Sequence, residues 1–168
     1  MNEARNKTCF FLRGLVRESA HWSGFLESFQ EHFPQWKVVP LDLPGCGNRY
    51  QENSPLTISE IVEILRTEFL QKKSEENYFF AISLGAMVGI HWMQKYENDF
   101  QGAVLGNTSV RGINPLYHRL KPKQWGKILS LFFQKDPVLV ERTILEITSE
   151  NRHRFAEQIG RASCRERV

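Results

Sequence analysis

Tyr78-Phe79-Phe80-Ala81-Ile82-Ser83-Leu84-Gly85-Ala86-Met87 is the stretch on which the rest of the chain is organised. An aromatic and β-branched run stops at a serine set between small residues. An apolar stretch at helical spacing (Met87, Val88, Ile90, Trp92, Met93) follows. The pattern predicts a strand, a sharp turn and a helix, with the Ser83 hydroxyl lifted to the carboxyl end of a parallel sheet at a helix N-terminus.

Such a turn holds its serine in a strained backbone conformation, and bulky side chains two residues to either side would strike the strand or the helix. Ala81 and Gly85 meet that limit, so the stretch is a variant of G-x-S-x-G in which Ala81 replaces the first glycine. The competing reading is an ordinary buried strand running into a helix, with serine as N-cap.

Thr8-Cys9-Phe10-Phe11-Leu12 predicts a short buried strand, and Arg13-Gly14-Leu15-Val16-Arg17-Glu18 the loop after it. Trp22, Phe25, Leu26, Phe29 and Phe33 keep helical spacing until Pro34 ends the helix. Trp36 to Asp42 predicts a second strand, at a sheet edge because of Pro40. Leu43-Pro44-Gly45-Cys46-Gly47-Asn48 is a tight loop, and a Thr57-x-x-Glu60 capping box opens a helix whose Ile58, Ile61, Val62, Leu65 and Phe69 face the core. Gly102 to Gly106 is a fourth strand, ending at Asn107-Thr108-Ser109. Strands alternating with helices imply right-handed crossovers and a parallel sheet covered on both faces. Beyond Ser109 two amphipathic helices, Lys121 to Phe133 and Pro137 to Ile147, follow with no strand between them. They suit either a helical lid or ordinary core packing.

The chain has 168 residues, 41% hydrophobic and 24% charged, as expected for a folded domain rather than a disordered one. Its apolar runs are too short to span a membrane, and the start lacks a signal-peptide pattern, so a cytoplasmic location is expected. The last ten residues, Ile159 to Val168, have no apolar periodicity, and every codon matches a common sequencing-library adapter (atc gga aga gcg tcg tgt agg gaa aga gtg). They are expected to be an artefact, with genuine sequence ending near Glu157. Excluding them leaves 19 Lys+Arg against 18 Asp+Glu, a net charge of +1 instead of +3. That balance offers no basic groove for nucleic acid. Cys9 and Cys46 remain; they lack metal-ligand spacing and read as reduced thiols. No metal or other cofactor is implied.

Three motifs in this order and spacing resemble the α/β-hydrolase superfamily, small bacterial members with helical caps above all, over residues 7 to 157. Arg13-Gly14 with Trp22 downstream is similar to the family's His-Gly oxyanion loop. Asp42-Leu43-Pro44-Gly45-Cys46-Gly47 is similar to its Asp-x-Pro-Gly-x-Gly loop, and Ala81-Ile82-Ser83-Leu84-Gly85 to its nucleophile elbow. The resemblance implies an α/β-hydrolase fold, with residues 1–110 forming the N-terminal part of the core and 111–157 part of a cap. It makes Ser83 the nucleophile and the backbone N–H groups of Leu84 and Leu15 the oxyanion donors. Ala81, Gly85, Arg13, Gly14, Asp42, Gly45 and Gly47 would shape the elbow and loops.

Two departures stand out. Arg13 takes the place of the family's histidine, which touches loop packing and substrate preference. In this family the acid and the histidine follow the nucleophile beyond the cap, and this chain stops inside it. His21 starts the first helix near the oxyanion loop and is expected to pack or touch substrate. His32, His91, His118 and His153 lie elsewhere, while Asp99 and Asp136 read as solvated surface charges. The expectation is a C-terminally truncated, inactive piece of a serine hydrolase of small carboxylic esters, thioesters or amides, since a serine hydroxyl without a base is a poor nucleophile. The alternatives are a non-catalytic binding or scaffold protein of the same fold, and a same-fold C–C hydrolase or acyltransferase.

Overall fold

The computed structural model describes residues 6–15 and 17–108 together with Gly126, Leu139 and Thr143. Four parallel strands, β1 (Lys7–Leu12), β2 (Trp36–Leu41), β3 (Glu76–Ile82) and β4 (Gly102–Gly106), lie in the order β2-β1-β3-β4. Three α-helices, α1 (Gly24–His32), α2 (Ile58–Lys72) and α3 (Leu84–Lys95), connect them. The chain divides into two units, Met1–Ser109 and Val110–Val168. The sheet belongs to the first. The two helices expected after Ser109 fall outside the described residues, apart from Gly126, Leu139 and Thr143, each of which is helical.

Alternation along the strands divides the core between the two faces of the sheet. Phe10 and Leu12 of β1, Val39 and Leu41 of β2, and Phe79 and Ala81 of β3 pack with Val62, Leu65 and Phe69 of α2 and Ala86, Val88 and Trp92 of α3. Cys9 and Phe11 point the opposite way, with Trp22 and the partly buried Leu26 and Phe29. Burial pushes the Cys9 thiol up to about 12, which keeps it protonated and inert.

The Thr57 capping box forms as its spacing predicts. Glu60 N–H donates to Thr57 Oγ1 and Thr57 N–H to a Glu60 carboxylate oxygen. In α3, Gly89 brings the helix axis close to β3, because a Cβ there would stand 2.6 Å from the Phe79 ring. Pro40 sits on β2, which lies at one end of the order of the described strands, as expected.

Two expectations are corrected. The first helix does not run through Trp22: a 3-10 turn, Ser19–Trp22, comes first, and Ser23 at φ 46° breaks the path before α1 begins at Gly24. Trp22 is thereby buried while Phe25 and Phe33 stay 43% and 44% exposed. Asp99 is not a solvated charge either. It accepts from Arg66 Nε at 2.7 Å and from the Trp92 indole N–H at 2.9 Å, tying α2 and α3 to the turn before β4.

Candidate active site

In a parallel sheet, ligands collect outside the carboxyl ends of the strands where the strand order reverses. Here the chain goes from β1 outward to β2 and then returns to β3 on the other side of β1, so the reversal lies between β1 and β3. The loop after β1 carries Arg13 and Gly14, and the turn after β3 carries Ser83.

Ser83 sits between β3 and α3 with φ 58° and ψ −121°, a region that residues with a Cβ rarely occupy. Its N–H donates to the Gly106 carbonyl of the neighbouring strand at 2.9 Å, and its carbonyl accepts from Ala86 and Met87 N–H at 3.0 and 3.1 Å. The backbone is thus pinned from both sides. The side chain makes no capping hydrogen bond to α3. Ser83 is thus the N-cap of α3 by position, as the competing reading has it, but its side chain does not cap the helix, and the hydroxyl lies at the positive end of α3.

The small residues around it have measurable causes. A Cβ on Gly85 would collide with the Arg13 carbonyl oxygen and stand 2.8 Å from that of Leu12. A Cβ on Gly14 would stand 2.8 Å from the Ser83 Cβ and 3.2 Å from its Oγ. Ala81 is fully buried beneath the turn. Gly14 and Ser83, which sequence spacing alone does not connect, are therefore neighbours. Leu84 packs its side chain against the core of the α2 and α3 face, while the Leu15 side chain is 68% exposed.

Asp42 shapes the adjoining loops. Its carboxylate accepts from Ser19 N–H at 2.5 Å, Ser19 Oγ at 3.0 Å and Asn48 N–H at 3.0 Å. Gly47, at φ 53°, faces the carboxylate so closely that a Cβ would overlap it, and Gly45, at φ 86°, turns the chain before it. Ser19 and Asn48 are the residues that the sequence reading missed. A serine opening the turn that ends at Trp22 was the available signal for Ser19.

Arg13 lays its guanidinium 4.8 Å from the Trp22 ring centroid. Burial first, and then the nearby Arg17 charge, lower its pKa from the ordinary arginine value. Arg13 Nε, Trp22 Nε1 and Thr108 Oγ1 are buried without a hydrogen-bond partner among the described residues. Of the histidines, His21 Nδ1 accepts from Glu18 N–H at 3.1 Å within its own turn, and His32 Nδ1 lies 2.8 Å from the Ser28 carbonyl on α1. His118, His153 and Asp136 fall outside the described residues. Among the described residues no group of three His, Cys, Asp or Glu side chains has metal-site geometry, and no helix is long and apolar enough to cross a membrane.

Comparison with known proteins follows the same lines. A family model described as the alpha/beta hydrolase fold matches residues 10–162. Solved structures with similar folds include the type II thioesterase BorB from the borrelidin biosynthetic cluster, at 16% identity and TM-score 0.62, with 97% of this chain and 61% of that one covered. A lipase-esterase related protein from Clostridium acetobutylicum matches at 15% identity and TM-score 0.65, covering 95% and 60%. An N-formylmaleamic acid deformylase from Pseudomonas putida S16 matches at 16% identity and TM-score 0.59, covering 83% and 53%. This chain spans less than two thirds of each of these structures. Among curated protein sequences nothing matches. The family match takes in most of the chain and the sheet order agrees with it, so this protein belongs to the alpha/beta hydrolase fold family.

Proposed function

We propose that the chain is the N-terminal part of a serine hydrolase that cleaves a carboxylic ester, thioester or amide of a small molecule through an acyl-enzyme on Ser83. The observation that carries this reading is the Ser83 backbone, held at φ 58° and ψ −121° where β3 meets α3, with Gly14 against its side chain. Strain of that kind persists only where surrounding structure enforces it, and it gathers at reacting groups. Attack by Oγ on the substrate carbonyl would place the developing negative charge near the N-terminus of α3, where the Leu84 N–H and, from the β1 loop, the Leu15 N–H serve as donors. Collapse of the tetrahedral intermediate expels the alcohol, thiol or amine, and water then releases the acid.

The proton acceptor and its acid partner are assigned to sequence following residue 157, with residues 159 to 168 taken as adapter. Loss of the base costs a triad enzyme on the order of a millionfold in turnover, so the 168-residue chain is expected to be inactive. The test is a serine-directed fluorophosphonate on the full-length gene product. Labelling at Ser83 and hydrolysis of a short activated ester are expected, with both lost in Ser83→Ala. Ester turnover that survives Ser83→Ala, or serine-dependent turnover by the 168-residue chain itself, would overturn the assignment.

A further inference from the structure

Among the described residues, the buried polar atoms without a partner near the carboxyl edge of the sheet include two donor-only groups. Arg13 Nε and the Trp22 indole nitrogen carry N–H groups and cannot accept, whereas the Thr108 hydroxyl can do either. Arg13 follows β1 and Thr108 follows β4, the strands on either side of β3, so the two loops flank Ser83 in the order of the sheet. A half-buried guanidinium stacked on an indole is costly to leave without a counter-charge. The Arg17 charge nearby adds to that cost. Among the described residues no carboxylate pairs with Arg13. The acid closest to it in sheet order, Asp42 at the end of β2, is already committed to Ser19 and Asn48.

We propose that Arg13, with the Trp22 N–H beside it, forms an anion subsite of the hydrolase, receiving a carboxylate or phosphate group of the substrate while Ser83 engages the carbonyl. The proposal rests on the hydrolase reading above and adds a substrate class to it. Two donor-only groups side by side, with no acceptor among the described residues, suit an anion better than a neutral polar group. A planar guanidinium held by stacking loses little freedom when it grips oxygen atoms. The position matters as well: Arg13 directly precedes Gly14, where an added Cβ would stand 2.8 Å from that of Ser83, so an anion held there is tethered to the reacting centre by one residue of backbone.

The experiment uses the full-length gene product and two matched substrate pairs. A p-nitrophenyl hemiglutarate ester against the p-nitrophenyl butyrate ester reads an anion in the acyl part. Acetyl-4′-phosphopantetheine against acetyl-pantetheine reads a phosphate in the leaving group. The expected result is a preference for the anionic member of one pair, with kcat/KM higher by about 10- to 100-fold, the range for a hydrogen-bonded charge. The preference should collapse in Arg13→Gln and be partly kept in Arg13→Lys. Damage to the loop alone lowers both members of a pair alike and leaves their ratio unchanged. A catalysis-independent arm titrates glutarate, and separately inorganic phosphate, into the Ser83→Ala variant with and without Arg13→Gln; saturable binding that needs Arg13 is expected. Turnover of neutral esters with no anionic preference, together with no Arg13-dependent anion binding, overturns the subsite and leaves the hydrolase standing. Arg13-dependent anion binding in a protein that labels and hydrolyses nothing keeps the subsite and overturns the hydrolase.

Discussion

Gly14 and Ser83 meet across the gap between the β1 and β3 loops so closely that a Cβ on Gly14 would stand 2.8 Å from the Ser83 Cβ. An alanine at residue 14 must push the serine, or the loop, away from its position. Misplacement of a reacting group by about 1 Å costs on the order of 100-fold in rate. Gly14→Ala in the full-length protein is therefore expected to slow phosphonate labelling of Ser83 by about that factor while the far-ultraviolet circular dichroism is unchanged. Labelling at the wild-type rate would mean that the contact does not position the serine.

Asp42 should matter for stability. Its carboxylate takes three hydrogen bonds and is 5% exposed. Asp42→Ala leaves the Ser19 and Asn48 N–H groups without their acceptor, at a cost of about 2–4 kcal/mol. Gly47→Ala drives a methyl group into the same carboxylate and adds strain at φ 53°, so a loss of similar size is expected. Urea midpoints of the two variants check this, and a shift of less than about 0.5 kcal/mol in both would contradict it.

Asp42 illustrates what the sequence could disclose. Its loop-shaping place was legible because the aspartate, proline and two glycines sit at fixed offsets, each needed for a turn that few other residues make. Its partner Ser19 was not, because the pairing spans 23 residues and depends on β1 and β2 being neighbours. The four strands and α2 were legible for a similar reason: their periodicity and the Thr57 capping box are local. The first helix was misjudged because aromatic spacing runs smoothly through Trp22, whereas the backbone break at Ser23 leaves no mark on hydrophobicity. Asp99 looked like any charge in a polar turn, since nothing in local sequence says that a turn folds back onto Arg66 and Trp92. Because it accepts from both, Asp99→Ala is expected to cost about 1–3 kcal/mol by orphaning the buried indole N–H. Thermal unfolding of the variant beside wild type measures it, and an unchanged midpoint would restore the surface-charge reading.

Ser83 allows backbone strain to be separated from chemistry. Residues with a Cβ rarely adopt φ 58° and ψ −121°, the conformation recorded here, and holding one in such a region costs about 1–3 kcal/mol. Glycine enters it freely but loses more chain entropy on folding, an offset of about 0.5–1 kcal/mol. Both Ser83→Ala and Ser83→Gly remove the hydroxyl and should abolish labelling and turnover alike. They should differ in stability: Ser83→Ala keeps the strain and unfolds near the wild-type midpoint, while Ser83→Gly relieves it and gains about 1 kcal/mol over Ser83→Ala. Such a gain would mean that the native serine is retained at a cost in stability, as expected of a residue kept for its reactivity. Equal midpoints for the glycine and alanine variants, measured by urea unfolding of the full-length protein, would mean that no strain is stored at the turn, and the observation that carries the proposed function would lose its force.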